Sequence, residues 1–420
     1  MINAATLTLN SDCYCWPIKR ESILEKIIAT GASDNMNAML SERAHYFAST
    51  AIFLSPDMLA QMESQIQAIE GVINNPEYVQ AIKRRNFPKH ADHNQLQTQG
   101  VFMGYDFHIT EDGPRLIEIN SNAGGGFIVD MIEQAVGSSQ GDFSKTIYDM
   151  FQSEWKRAGR TTPLKTVAIV DTEPEEQYHY PDMCLAKSLL ERQGLKVVIT
   201  DPKDLRISEK ILYHGDSPID LVYNRLTDFD FSEQANAVLQ DAYIRNAAVI
   251  TPAPHHHVLY ADKRNLILLS DPQRLFEIGA SPDQIDALKS IPKAGLVTSE
   301  TAEMMWGKRR QLFFKPQNGF GSRGAFRGAK LTKKVWAQIL QSQYIAQELI
   351  APPVRAVTVN GNDIRLKFDV RVYTYNGVPL LHAARIYQGQ TTNLRTAGGG
   401  LAPIIPIVSS SSCSKGDVAA

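Results

Sequence analysis

The chain has 420 residues, 43% apolar and 21% charged, enough for two or three domains with a sizeable core; this excludes a disulfide miniprotein and a disordered tail. Its 43 basic and 45 acidic side chains leave a net charge of -2. The chain as a whole therefore has no electrostatic reason to seek nucleic acid or an anionic membrane, and an anionic partner must be held locally. Cys13, Cys15, Cys184 and Cys413 form no C-x-x-C pair, a pattern that fits reduced thiols in a cytosol better than a secreted scaffold. The apolar stretches 51–54 and 266–269 fall far short of the ~20 residues that span a bilayer, and no basic-then-apolar leader opens the sequence. The expectation is a soluble, cytoplasmic protein with no membrane and no nucleic-acid partner.

The first hundred residues read as helix, with apolar positions Ile23, Ile27 and Ile28, then Met58, Met62, Ile66 and Ile69, at helical spacing. Ser55-Pro56 supplies a cap and first turn. After a polar segment, 83–99, residues 101–110 and 115–120 read as two strands joined by a three-residue loop, Glu111-Asp112-Gly113. Helix returns from Gly124-Gly125-Gly126 to about residue 157. Strands at 167–170, 197–200, 221–224 and 249–250, alternating with helices at 181–193 and 232–245, argue for a small parallel α/β unit. Further strands fall at 312–315, 344–349, 366–375 and 378–387, the last two joined by Asn376-Gly377, a hairpin signal. Residues 406–420, with four serines in a row, read as a disordered tail.

Two places carry chemistry. With a loop at 111–113, Asp106 faces Glu118 across the hairpin and Asn120 shares their face, backed on the other side by Ile117 and Ile119. Like charges opposed in a strand pair repel, so three oxygen donors gathered there suit Mg²⁺ shared with phosphate oxygens; a solvated polar strand face is the rival reading. The second place is Lys315-Pro316-Gln317-Asn318-Gly319-Phe320-Gly321-Ser322-Arg323-Gly324. An apolar strand delivers a lysine and a glycine-rich loop whose N–H groups can wrap phosphate. Gly319 to Gly324 also spells G-x-G-x-x-G, but helical periodicity starts only near Leu331, too late for a dinucleotide fingerprint. A plain surface loop is the alternative. His255-His256-His257, flanked by Pro252 and Pro254, reads as an extended linker rather than a zinc site, and Glu173, Glu175 and Glu176 as an exposed acidic loop.

Asp262-Lys263, Phe314-Lys315 with its glycine loop, Gln347-Glu348-Leu349-Ile350, Asp369-Val370-Arg371, and Asn393 followed by Gly398-Gly399-Gly400 run in the order seen in ATP-grasp carboxylate-amine ligases, which the chain resembles. Members that add glutamate to ribosomal protein close with a G-x-D strand and an E-[IV]-N strand. Here the equivalents, Gly104-Tyr105-Asp106 and Ile117-Glu118-Ile119-Asn120, lie at the other end, so the chain looks circularly permuted, as eukaryotic-type glutathione synthetases are. It resembles those synthetases in Glu118-Ile119-Asn120, Lys315-Pro316-Gln317 and Val222-Tyr223-Asn224-Arg225. The likeness covers residues 102–127 and 222–403. It departs at Gly319, where the synthetases place a metal-binding glutamate, at Gly104, where they place an arginine, and at Thr391, where the ribosomal ligases place one.

The resemblance implies an α/β (α+β) ATP-grasp fold and an ATP- and Mg²⁺-dependent ligase, Mn²⁺ being an alternative ion, that joins a small-molecule or peptide carboxylate to an amine through an acyl phosphate. It implies metal binding by Asp106, Glu118 and Asn120. ATP binding falls to Lys263, Lys315, Gly319, Gly321, Ser322, Gly324, Gln347, Glu348, Ile350, Asp369 and Asn393, with adenine beside 347–350. Arg371 and Arg385 are the catalytic candidates, with a pairing of Arg371 to Asp369 or another acid as the structural alternative. Arg225, Asn122, Gly399 and Gly400 are the substrate candidates, Arg225 for a carboxylate unless it pairs with Asp228 at the surface. The expected divisions are a helical part at 1–100, a metal hairpin and helix at 101–160, an α/β substrate domain at 161–255 and the nucleotide-binding region at 256–405. A phosphotransferase and a non-catalytic nucleotide-binding module are the rival functions, and a homo-oligomer is left open.

Overall fold

The structure, a computed structural model, describes residues 2–13, 16–85, 97–139, 141–319, 321 and 323–407. Ser322, Phe320, Cys15, Cys413, most of the polar segment 83–99 and the expected tail from 408 onward lie outside the described residues.

Among the described residues the strands form four sheets. The largest has seven strands: β1 (Ile52–Leu54), β18 (Gly400–Pro406), β17 (Val378–Tyr387), β16 (Asn362–Tyr375), β2 (Met103–Thr110) and β3 (Gly113–Asn120) in that order, with β15 (Val354–Val359) also paired to β16. The small parallel sheet runs β10 (Val249–Thr251), β9 (Leu221–Asn224), β4 (Thr166–Val170), β5 (Lys196–Thr200), as alternation in the sequence leads one to expect. A third sheet holds β11 (Ala294–Leu296), β14 (Tyr344–Glu348), β12 (Leu312–Pro316) and β13 (Phe326–Arg327). The fourth, β6 (Leu205–Ser208), β7 (Ile211–His214) and β8 (Ser217–Ile219), is a short meander without an expected counterpart.

The large sheet owes its faces to the strand period of two. One face carries Val370, Val372, Tyr105, Phe107 and Ile386, all buried against Met58, Met62, Ile66 and Ile69 of the helix Pro56–Ile73. That helix begins as its sequence dictates: Ser55 accepts from the Met58 N–H at 3.2 Å and Pro56 occupies the first turn. Asn376 and Gly377 join β16 to β17 with φ of 50° and 72°, the left-handed pair that a tight hairpin of this twist requires.

Several expectations are corrected. The first hundred residues are not helix throughout, because the apolar run at Ile52–Leu54 pairs in parallel with β18 as an edge of the large sheet. The helix expected at 232–245 starts later, a tight turn at Gln234–Asn236 leading into Ala237–Ile244. The three histidines are no extended linker: His255, His256 and His257 are buried in helical turns, His255 meeting Tyr243 Oη at 2.8 Å and His256 Nδ1 accepting from the Ala253 N–H at 2.8 Å. Cys184 is a buried free thiol, but Cys13 is disulfide-bonded, so its reduced reading does not hold.

The hairpin of β2 and β3 differs in detail. Thr110 pairs with Gly113, so the turn has two residues, Glu111 and Asp112, and the register near it is one short of that expected. A bulge restores it. Phe107 pairs with Leu116 and Asp106 with Glu118, leaving Ile117 unpaired between them. Ile119 backs the strand as expected, while Ile117 is turned to the side of the cleft.

Candidate active site

The face of the large sheet opposite the helix Pro56–Ile73 carries a row of charge fixed by register. Arg385 lies across from Asp369, Arg371 across from Asp106, and Asp106 across from Glu118, with Asn120 two residues further along. Asp106 is almost wholly buried and accepts from Arg371 twice, Nε to Oδ1 at 2.6 Å and Nη2 to Oδ2 at 2.7 Å. Its Oδ2 also accepts from Arg385 Nη2 at 2.7 Å and from Asn120 Nδ2 at 3.1 Å. Arg385 Nε donates to Asp369 Oδ1 at 2.7 Å, and Thr392 Oγ1 donates to the other oxygen of Asp369. Arg371 thus pairs with an acid as the structural alternative has it, the acid being Asp106 and not Asp369. Burial alone would raise the Asp106 carboxyl, but the two guanidiniums overcome it and hold the group well below the usual carboxylate range.

A cleft of about 300 Å³ lies over this face. It is lined by Asp106, Glu118, Asn120, Asp369 and Arg385 from the large sheet, by Lys315, Gln347 and Glu348 from β12 and β14, and by Gly319, Gly321 and Ile350 from the loops after those strands, with Lys263 beside them. Lys315 is 4% exposed and its Nζ donates to the Ile117 carbonyl at 2.7 Å and to Gln347 Oε1 at 2.8 Å. The bulge is what frees that carbonyl from the ladder. Burial, with Lys263 adding, lowers the Lys315 amine to about 8 against the opposing pull of Glu118 and Asp106. Lys263 Nζ donates to the Gly319 carbonyl at 2.6 Å, tying the glycine loop down. At the far end the Ile350 carbonyl meets His108 Nδ1 at 2.9 Å, and the exposed Glu348 accepts from the Lys293 N–H at 3.2 Å.

A second cavity, about 470 Å³, adjoins the first. Arg225, Asn122, Arg371 and Asn393 line it, together with Gly124, Asp171, Tyr178, His179 and Arg395. Glu118, Asn120, Lys263, Gly319, Gly321, Arg385 and Thr392 line both. Arg225 is 6% exposed and donates to Asn122 Oδ1 and to Tyr223 Oη. Asp228 instead caps the turn at Ser232 and Glu233, so the surface pair with Arg225 does not form. Burial raises Asp171 to about 7 against the pull of Arg225, and burial together with Arg225, Arg371 and Arg385 lowers His179 to about 3, leaving a neutral imidazole that shares a hydrogen bond with Tyr46 Oη at 2.7 Å.

The remaining site expectations fall elsewhere. Gly324 lies off both cavities, its carbonyl accepting from Tyr344 Oη at 2.8 Å. Gly399 and Gly400 line neither cavity; a Cβ at Gly399 would stand 2.3 Å from the Ile386 carbonyl oxygen and one at Gly400 2.7 Å from that of His45, so they serve close backbone packing. The glycines after β3 likewise make room for protein: a Cβ at Gly124 would meet Arg225 Nη2 at 2.8 Å, and one at Gly126 the Phe102 ring at 2.9 Å. Thr392, Asp171 and Arg395 escaped sequence reasoning because none stands in a motif, and Tyr178 and His179 were visible only as neighbours of the acidic loop; their proximity arises when the small parallel sheet meets the large one.

The donor set bears on a divalent ion. Asp106 is engaged by two guanidiniums, whereas the Glu118 carboxylate faces both cavities with no ion pair among the described residues, and the Asn120 amide, donating through Nδ2, leaves its oxygen available. Two hard oxygen donors on the wall of the cleft fit Mg²⁺, an ion that completes its shell with water and phosphate oxygens.

No family model matches the sequence, and no curated protein matches it. Among solved structures, a glutathione synthetase-like effector from Globodera pallida superposes with a TM-score of 0.57 at 12% identity, over 94% of this chain and 100% of that one. A putative gamma-glutamylcysteine synthetase from Methylobacillus flagellatus gives 0.45 at 11% identity, over 79% and 84%. The ATP-grasp ligase PsnB with a minimal precursor gives 0.29 at 11%, over 58% and 90%. The chain thus shares its α/β fold with the effector over nearly its full length.

Proposed function

We propose that this chain, starting from that fold, is an ATP-dependent ligase joining a carboxylate to an amine. The observation that supports the reading is the shared wall of the two cavities, where Glu118, Asn120, Lys263 and Arg385 face a nucleotide-sized cleft on one side and a second chamber on the other. Such a wall lets a γ-phosphate in one chamber meet a carboxylate in the other.

In this reading adenine lies along 347–350, and Lys263 and Lys315 neutralise phosphate oxygens. Glu118 and the Asn120 oxygen would hold Mg²⁺, or Mn²⁺ in its place, and the ion would supply positive charge against the phosphate oxygens. A carboxylate oxygen attacks the γ-phosphorus and ADP leaves. The amine then attacks the acyl carbon, phosphate leaves, and the amine loses a proton as the amide forms. Arg385, with its Nη1 group carrying no hydrogen bond among the described residues, and Arg371 would neutralise the acyl phosphate and the oxyanion that follows. Arg225, walled in by Asn122 and Tyr223, would hold a second acid group of the substrate.

The test is coupled ADP release with Mg²⁺ and ATP across acid and amine pairs, beginning with γ-glutamyl peptides plus glycine, the pair the name of the Globodera structure suggests. ADP should appear only when both are present, and Glu118→Ala should lower turnover by at least about 10³-fold. A stable phosphorylated product formed without an amine would instead establish a phosphotransferase. ATP binding with no turnover across the screen would leave a binding module.

A further inference from the structure

We propose that segment 388–396 couples the two cavities through Thr392, a positioning residue for Arg385. The segment straddles them: Gly389, Gln390 and Thr391 line the nucleotide cleft, Asn393 to Arg395 the second chamber, and Thr392 both. It is braced internally, Asn393 Nδ2 donating to the Gln388 carbonyl at 2.7 Å and Thr396 Oγ1 accepting from the Gln388 N–H at 3.0 Å. A braced segment moves as a unit. Lys367 Nζ donates to its Gly389 carbonyl, and two further pins reach the two chambers. Toward the acceptor side, Tyr178 Oη donates to the Leu394 carbonyl at 2.7 Å. Toward the sheet, Thr392 Oγ1 donates to Asp369, whose other oxygen holds Arg385 Nε.

The second pin orders the guanidinium. Asp369 is buried, and each of its oxygens has one of these partners. With Thr392 in place the carboxylate cannot rotate, so Arg385 is fixed between Asp369 and Asp106 at the wall both chambers share. With Thr392 withdrawn, one oxygen of a buried carboxylate loses its donor, and Arg385 is drawn over to satisfy both. A nucleotide pressing on 389–391 therefore sets the angle at which Arg385 meets the acyl group, and an acceptor engaging Leu394 or Arg395 acts on the same hinge from the other side.

This deepens the ligase reading, and its kinetic half rests on that reading. The experiment compares the full chain with Thr392→Val, Thr392→Ser and Tyr178→Phe. In hydrogen exchange without ligand, amides of 388–396 should exchange about fivefold faster or more in Thr392→Val and match wild type in Thr392→Ser; ADP with Mg²⁺ should protect residues 393–396 in wild type but not in Thr392→Val. In turnover, Thr392→Val should lower kcat about 10-fold or more with the KM for ATP held within about twofold, Thr392→Ser should restore it, and Tyr178→Phe should raise the acceptor KM alone. Unchanged exchange, protection that persists in Thr392→Val, or a kcat loss that serine does not restore would overturn the coupling. If wild type turns over no substrate pair, the ligase reading fails while the exchange measurements still decide the coupling. If Thr392→Val does not fold, Tyr178→Phe carries the test, since coupling demands that it abolish ADP-induced protection of 393–396 as well.

Discussion

Lys315 shows how one residue's role depends on pairings that no local pattern reveals. Its place at the end of an apolar strand before a glycine loop is visible in the sequence, and so is its suitability for phosphate. What holds it is not. Gln347, grouped by sequence with an adenine edge, sits on the strand antiparallel to β12, where Phe313 pairs with Gln347 and Lys315 with Ile345. Residues two apart share a face, so Gln347 and Lys315 meet diagonally across the ladder. The two readings of Gln347 differ in a measurable way. An adenine contact would affect ADP and not inorganic triphosphate; an anchor for Lys315 affects both. We expect Gln347→Leu to weaken ADP and triphosphate alike by about 3–10-fold, and Lys315→Met, which removes the charge itself, to weaken both by about 10²-fold, read by calorimetric titration.

Among the elements, the hairpin of β2 and β3 brings Asp106 opposite Glu118 by two irregularities that cancel: a turn one residue shorter than expected and a bulge that returns the missing residue at Ile117. The acidic pair was legible because both errors preserve it, whereas the Ile117 carbonyl that Lys315 uses was not, since a bulge has no sequence signature here. The same hairpin accounts for Gly104, the departure from the glutathione synthetases that the sequence resembles. A Cβ at this position would stand 2.6 Å from the Ala123 Cβ, with Arg371 Nε already at contact distance, 3.4 Å, so the space is filled chiefly by the Ala123 methyl. Even one methyl there forces Ala123 aside. Gly104→Ala should cost about 1–3 kcal/mol by overpacking, seen as a melting temperature lowered by several degrees.

For the whole molecule, length suggested domains in series, yet the chain's beginning is built into its end. β1 pairs with β18, β2 with β16, and Glu118 and Asn120 face a cleft whose other wall is formed after residue 260. Sheets made from strands hundreds of residues apart cannot be read from local periodicity, which is why motifs, and not elements, gave away the interlocking. Arg355 is the plainest mark of it. It is wholly buried, and its guanidinium donates to the carbonyls of Ala51 at 2.8 Å and Asn10 at 3.3 Å, to that of Cys13, and to Thr50 Oγ1 at 2.7 Å. The Asn10 carbonyl lies in the last turn of the helix Ile2–Asp12, where such groups lack intrahelical partners and favour a cation. Arg355→Met keeps the length of the side chain but strands those acceptors in a dry interior, so it should cost about 2–5 kcal/mol. Because Arg355 lines neither cavity, nucleotide affinity per folded molecule should stay unchanged. Urea unfolding would show a lower midpoint with an unaltered slope if the N-terminal residues remain part of one cooperative body. A separate early transition would mean that the first fifty residues peel away on their own, and that the interlocking is weaker than the hydrogen bonds imply.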